Sequence, residues 1–408
     1  METVIGKSYF NDPKILKENK IKKISQFPYL EEDIKCEVLI IGGGIQGSIL
    51  NYYLAQNCNV VLVDSGRIAN NSTTIATALL EFQLDDFAKD LEKYMSKEDI
   101  VDVYKMGKNS IDKIEELVHK FGNNCNFARR PALLYSNRIC DINKIKDEYT
   151  FRINNNFDCE YIDENNNQFD FDIKAGILDN EGGAEFNPYL FAKEMIENSD
   201  NKDSIYENTE IISIEHNKNK IICTTKYGNT ITCNKVIIAS GFDIRFITQE
   251  EKKNIINQVS YSIVTKPINK LANYKRTLIQ DTLDNYHYLR ILPDNRIIFG
   301  GEDTPFNGDE IDVNLCKKKY NSLIKNLKKI FKNIEDEMEI EYSFAGLFAS
   351  TDNNLGIIGE SQNKNIYYFL SCGANGIINT FCGVEIIEDL LNGKKHKLSR
   401  LFSPTRNL

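Results

Sequence analysis

The string Val38-Leu39-Ile40-Ile41-Gly42-Gly43-Gly44-Ile45-Gln46-Gly47, followed by Val60-Val61-Leu62-Val63-Asp64, constrains this chain more than anything else in it. It spells a buried strand, a glycine turn, a helix and a second strand that ends in a carboxylate. Each glycine has a separate task. Gly42 permits the tight turn out of the strand, Gly44 lets the backbone approach a pyrophosphate, and Gly47 lets the helix pack closely on the sheet. The amides of the helix's first turn, together with its dipole, attract phosphate. Asp64 follows Gly42 by 22 residues, close to the spacing at which an acid accepts from ribose hydroxyls. Ile45, Ile49 and Tyr53 share one helical face, so the context that such a motif demands is present. The pattern predicts a site for a dinucleotide.

A chain of 408 residues is long enough for two or three domains and a sizeable core. Its net charge of -9 argues against nucleic acid or an anionic membrane as partner, since binding phosphate backbones needs a basic face. The basic run Lys317-Lys318-Lys319 lies where Tyr320, Leu323, Leu327, Phe331 and Ile334 recur at helical spacing, so its lysines read as the wet side of an amphipathic helix. The 10 cysteines are scattered without a CxxC pair or metal-ligand spacing, and read as reduced thiols, several of them buried. Lys14, Lys17, Lys20, Lys22 and Lys23 precede the first strand with no long apolar stretch, which argues against a signal peptide or membrane anchor. The chain reads as cytoplasmic.

Beyond Asp64, the stretch from Arg67 to Thr77 is rich in Asn, Ser and Thr and predicts a loop. Residues 99–121 carry apolar side chains at the spacing of a long amphipathic helix. Asn154 to Asn167 reads as a surface excursion, and Phe186-Asn187-Pro188 introduces a short helix from Tyr189. Strands are predicted over Glu210 to His216 and Lys220 to Lys226, with a third after Tyr227-Gly228-Asn229. The run Lys235-Val236-Ile237-Ile238-Ala239-Ser240-Gly241 is a further apolar strand. Continuous apolar strands of this kind belong to a parallel sheet covered on both faces. Residues 255–300 predict an antiparallel sheet, and a helix is expected from about Ile377 to Leu391.

Four ordered blocks resemble the FAD-dependent D-amino-acid oxidase superfamily, the group that holds glycine, sarcosine and gamma-glutamylputrescine oxidases. They are the N-terminal fingerprint with Val236 to Gly241 (V-I-x-A-x-G); Tyr288-Leu289-Arg290 with Asp294 through Asp303 (YxR...DxRxxxGGED); Ala345 through Asp352 with Ile358-Gly359 (WxGxxAxTxDxLPxIG); and Gly373-Ala374-Asn375-Gly376-Ile377 (GGxxHG). The resemblance spans nearly the whole chain. It implies an α/β fold, α+β overall, in which a Rossmann-like FAD-binding domain (1–84, 185–248 and 340–408) is interleaved with an antiparallel-sheet substrate domain (85–184 and 249–339).

The same resemblance implies the cofactor contacts. Gly42, Gly44, Ile45, Gln46 and Gly47 would approach the pyrophosphate, with Asp64 and Ser65 at the adenosine ribose. Asn71, Ser72, Thr73 and Thr74 would wrap the flavin side, followed by Ala78, Leu79 and Leu80. Ile211 would meet the adenine through its backbone, and Ser240 and Gly241 would line the cofactor. Gly346 and Phe348 would border it, while Gly373, Ala374, Asn375, Gly376 and Ile377 would sit at the flavin's pyrimidine end. The family's cysteine attachment is missing from Phe348-Ala349-Ser350, so the FAD is expected to be noncovalent.

Departures from the family bear on the substrate. Relatives that grip a carboxylate carry an arginine where this chain has Phe348, and glycine oxidase carries a second where this chain has Ala374. Phe344 stands in the place of the usual tryptophan. Loss of both arginines points to a secondary or N-substituted amine or amino acid, oxidised by hydride transfer to give an imine that water hydrolyses, with oxygen or another acceptor taking the electrons. His287, Tyr288 and Arg290 are the candidate catalytic residues. His287 could favour a deprotonated amine, or could simply be hydrogen-bonded within its strand. Arg290 could border the substrate or brace the sheet through an acid. Arg129 and Arg130, and the polar pair Glu81 and Gln83, are further candidates. No metal site stands out. The alternatives are a D-amino-acid dehydrogenase using an acceptor other than oxygen, a catalytically inactive flavoprotein subunit and, more remotely, a nicotinamide dehydrogenase.

Overall fold

The computed structural model describes residues 3–19, 21, 25–308, 310–371, 373 and 375–406. Of the N-terminal lysines, Lys20, Lys22 and Lys23 lie outside these, as do Cys372 and Ala374.

The apolar runs seen in the sequence assemble into one sheet. Its strand order is Ile357–Glu360, Ile366–Leu370, Lys235–Ile238, Val38–Ile41, Val60–Val63 and Ile205–Tyr206. All neighbours are parallel except the first pair. Both faces are covered, which is why these strands do not alternate apolar with polar. Val38, Ile40, Val60, Leu62 and Ile237 face helices, among them Ile45–Leu54 and Gly376–Leu391. Leu39, Ile41, Val61, Val63, Val236 and Ile238 face the other way, toward Ile221, Cys223, Ile231 and Cys233 of a small four-stranded sheet. That small sheet holds the strands Ile211–Asn217, Lys220–Thr225, Thr230–Cys233 and Ile34–Lys35. Burying a side chain of this size stabilises by roughly 1.5–3 kcal/mol, so these strands hold the glycine turn firmly.

The second large element is a ten-stranded sheet. It runs Val4–Gly6, Ile340–Ser350, Ile256–Thr265, Ile297–Pro305, His287–Ile291, Leu278–Asp281, Ala128–Ser136, Ala175–Glu185 and Leu79–Glu81, with Glu160–Ile162 paired to Ala175–Glu185. The pieces expected between 255 and 300 are antiparallel to one another, but Leu278–Asp281 runs parallel to Ala128–Ser136. One face packs under the helix Val313–Ile330 through Cys316, Leu323 and Leu327. Those three buried residues explain the helical spacing read around the lysine run, and the lysines lie on the exposed or half-exposed side.

Local signals account for most element ends. Helix Lys97–Phe121 opens with a capping box between Ser96 and Asp99 and closes at Gly122 with φ +97°. Helix Pro188–Glu197 starts with Pro at its first turn, and Asn187 accepts from the Leu190 amide. The Arg67 to Thr77 stretch departs from a plain loop, because Ser72–Ile75 forms a short helix after Asn71 turns the chain at φ +57°. Every described cysteine is a free thiol. No described helix is long and apolar enough to cross a membrane.

Candidate functional site

The glycine turn is built by steric demand. Gly42 takes φ +111°, and a Cβ there would lie 2.5 Å from the Ala239 carbonyl oxygen on the neighbouring strand. A Cβ on Gly47 would overlap the Gly42 carbonyl itself. Gly44 differs: its Cβ direction meets only Thr73 Oγ1, at 3.3 Å. Gly44 precedes the helix in extended conformation, with no side chain capping it. The Ile45 amide donates to Thr73 Oγ1 at 3.0 Å. Gln46 ties the turn to the end of strand Ile366–Leu370, donating to the Ser371 carbonyl at 2.8 Å and accepting from its amide at 3.1 Å. Ser371 Oγ is buried without a hydrogen-bond partner.

Asp64 projects from the end of the neighbouring strand onto the same turn. Its Oδ2 accepts from the Gly43 amide and its Oδ1 from the Gly66 amide, both at 2.7 Å. Burial raises its pKa, and these two amides oppose the rise. Its main chain is fixed by Tyr206 and Thr209, the latter donating to the Asp64 carbonyl at 2.7 Å. That bond brings the start of the small sheet, where Ile211 is buried, close to the acid. Ser65 is exposed.

Further along, Ser72 donates to the Leu347 carbonyl at 2.9 Å, and Thr74 Oγ1 to the Asn71 carbonyl at 2.8 Å. Ala78 adopts φ +52° as the chain enters the edge strand that holds Leu79 and Leu80. Gly346 packs against Ile75, where a Cβ would collide, while Phe348 is half-buried opposite Gln258. Gly241 has φ +65° with open space where a Cβ would point, beside Ser240. Gly373 at φ +83° donates its amide to Ala349, and Asn375, before helix Gly376–Leu391, donates to the Gln83 carbonyl at 2.7 Å. Gly376 packs on the Ser371 carbonyl, and Ile377 is half-buried. These segments converge from five distant parts of the chain.

Strand alternation separates the three candidate catalytic residues. Tyr288 and Arg290 share one face. Tyr288 lies 3.0 Å from Ser260 Oγ, and burial, reinforced by the charge of Asp303, pushes its phenol up to about 12. Asp303 accepts from the Tyr286 hydroxyl and is itself raised by burial. Arg290 donates to the Thr77 and Phe186 carbonyls and to Glu185, and Arg130 reaches the other Glu185 oxygen. His287 points to the opposite face, under helix Val313–Ile330. Its Nδ1 lies 2.7 Å from Asp281, Asn326 stands 3.2 Å from Nε2, and its ring stacks on Phe299. The structure therefore brings Tyr288 together with the residues near Phe348 and does not bring His287. Arg129 bonds to Glu115 and Asp112 on the helix Lys97–Phe121.

Ser260, Tyr286 and Asp303 were not singled out individually from the sequence. For Ser260 a signal is present: Gln258, Ser260 and Ser262 alternate with Val259, Tyr261 and Ile263 along one strand, a polar row inside an otherwise buried sheet.

Residues 37–388 match the family model for FAD dependent oxidoreductases, DAO. The chain belongs to this family. Gamma-glutamylputrescine oxidoreductase of Escherichia coli is 22% identical over 390 residues, covering 91% of this chain and 87% of that protein. A Bacillus subtilis protein described as a Rieske 2Fe-2S iron-sulfur protein is 21% identical over 392 residues, covering 94% of this chain and 74% of its own length. The fold is similar to that of glycine oxidase from Geobacillus kaustophilus, with a TM-score of 0.76 at 16% identity, covering 92% of this chain and 99% of that one. The family's cofactor is FAD, and the residues present fit it: a glycine turn into a helix start where only Thr73 comes near Gly44, an acid at Asp64, and open space at Gly241.

Proposed function

We propose that this FAD-dependent oxidoreductase oxidises a CH–NH bond of an amine or amino acid, and that its substrate is secondary or N-substituted. Bound flavin supplies the hydride acceptor. In this reading the Gly42 to Gly47 turn receives the pyrophosphate and Asp64 accepts from the ribose hydroxyls. The segments at Ser72–Thr74, Ala78–Leu80, Ser240–Gly241, Gly346–Phe348 and Gly373–Ile377 enclose the rest of the cofactor. Residues 1–84, 185–248 and 340–408 form the cofactor-binding part, and the remainder forms the substrate part.

The observation that carries the substrate reading is Phe348. It lies on the strand Ile340–Ser350, opposite Gln258 and two residues from the partner of Ser260, so the polar row of the large sheet faces a ring where a guanidinium would clamp a carboxylate. Tyr288 and Ser260 then orient the amine by neutral hydrogen bonds, and the buried strands exclude water from the reacting carbon. The names of the Escherichia coli and Geobacillus relatives, an amine and an amino-acid oxidoreductase, support the same class of bond.

An anaerobic screen of amines and N-alkyl amino acids against the yellow holoprotein tests this. N-substituted amines are expected to bleach the flavin. Bleaching by glycine or D-alanine, with none by N-substituted amines, would overturn the substrate reading. Reoxidation under oxygen, compared with reoxidation by an artificial dye, separates an oxidase from a dehydrogenase.

A further inference from the structure

Two side chains on the edge of the large sheet are short of partners. Glu81 and Gln83 are 6% and 5% exposed. Gln83 Nε2 donates to one carboxylate oxygen of Glu81, which leaves Glu81 Oε1 and Gln83 Oε1 buried with no hydrogen-bond donor. A buried acceptor left without a donor costs free energy on folding, so two side by side are a cost that a ligand can relieve.

The surroundings decide what kind of ligand. Asp85 and Asp179 add negative charge near Glu81, and Arg152 opposes them. Arg152 donates to Glu148 at 2.8 Å, and Lys108 stands 3.6 Å from Asp179, so both cations already have acidic partners. What is missing is a group that carries N–H donors and positive charge. Burial holds the Glu81 carboxyl up to about 7 despite the charge of Arg152, because desolvation disfavours the ionised form. The pair also lies next to the expected cofactor segments. Leu79 and Leu80 precede Glu81 directly, and the Gln83 carbonyl accepts from Asn375 at the start of helix Gly376–Leu391.

We propose that Glu81 and Gln83 form a subsite for a second, non-reacting ammonium group of a diamine-type substrate, whose N–H hydrogens are taken by Glu81 Oε1 and Gln83 Oε1 while the reacting nitrogen stays neutral. This deepens the amine-oxidation reading above and rests on it. It also gives a physical account of selectivity without an arginine clamp: the substrate is held by its positive end, not by a carboxylate.

The test uses the FAD-loaded wild-type protein and the variants Glu81→Gln and Gln83→Met, with flavin content confirming that each is folded. The paired probes are 1,4-diaminobutane and butanedioate at matched ionic strength, titrated anaerobically by equilibrium calorimetry. The diamine is expected to bind and the dianion not to, and each substitution is expected to raise the diamine Kd at least tenfold. No diamine binding to the wild type, tighter binding of butanedioate, or unchanged diamine affinity in both variants would overturn the subsite. If the wild type binds the diamine through Glu81 but no amine bleaches its flavin, the subsite stands and the oxidation reading falls. If diamines are oxidised with unchanged KM in Glu81→Gln, the subsite falls and the oxidation reading stands.

Discussion

Arg290 Nη1 donates to Glu185 Oε2 at 2.8 Å, with 2% and 1% of the two side chains exposed. Removing Arg290 leaves Glu185 with Arg130 alone and takes a donor from the Thr77 and Phe186 carbonyls, which costs about 1–3 kcal/mol. Arg290→Leu is therefore expected to lower the urea midpoint sharply. Glu185→Gln should do so at least as much, because it leaves both Arg290 and Arg130 without their carboxylate. Small effects of both in equilibrium unfolding would contradict the brace.

Gly47 and Gly44 should separate fold from site. Gly47→Ala forces a Cβ into the Gly42 carbonyl, and overpacking of this kind costs roughly 1–3 kcal/mol. It should lower both the Tm and the flavin content. In Gly44→Val the new Cβ meets only Thr73 Oγ1, at 3.3 Å, a side chain that can give way, so the apoprotein should melt nearer the wild-type temperature than Gly47→Ala does and yet purify colourless. Stoichiometric FAD in Gly44→Val would refute the placement of the pyrophosphate.

Tyr288 should act as a neutral hydrogen-bonding group. With its phenol pushed up to about 12, amine oxidation should show no loss of a Tyr288 proton below about pH 10, where a free tyrosine titrates. Tyr288→Phe removes one hydrogen bond, worth about 1 kcal/mol or roughly fivefold in rate. Stopped-flow reduction of the flavin across pH checks both statements.

Glu81 ties stability to pH. Burial raises its carboxyl from 4.5 to about 7, so the folded state holds the proton more tightly than the unfolded chain does. The associated stability is complete below pH 4.5 and is lost as pH rises through 7. A shift of this size corresponds to roughly 3 kcal/mol at most. Glu81→Gln should flatten the pH dependence of the melting temperature across that window, as followed by calorimetry. An unchanged slope would show that another group titrates.

His287→Gln should lower the Tm while leaving the pH profile of flavin reduction unchanged, because His287 is engaged by Asp281 and Asn326 on the far face of the sheet. A lost pH limb would return His287 to the chemistry.

The sequence made the nucleotide half legible because its signals are local. Glycines at the turn, apolar runs and the acid after the second strand all lie within 27 residues, from Val38 to Asp64. The helix expected from Ile377 begins at Gly376, and the strands near 210 and 220 fall within a residue or so of their observed ends. The site's polar side was harder to read. Arg290 meets Glu185 across 105 positions, and the Gln83 carbonyl meets Asn375 across 292; no periodicity encodes such pairings. His287 fell in a motif block beside Tyr288, yet one step along a strand reverses the face. Ser72–Ile75 does not read as a helix in the sequence because Ser and Thr compete with helical bonding in short segments.

The strand Val4–Gly6 pairs with Phe344 to Gly346 at the edge of the large sheet, so Val4 meets a residue 342 positions later. At a synthesis rate of about 5–20 residues per second, the strand emerges roughly 20–70 s before its partner does. Over that interval it has nothing to zip onto, and closure of the sheet becomes one of the last events in folding. Agents that act on the nascent chain, such as chaperones or proteases, thus have a longer hold on this edge than on the glycine turn, which can form as soon as the first strands leave the ribosome.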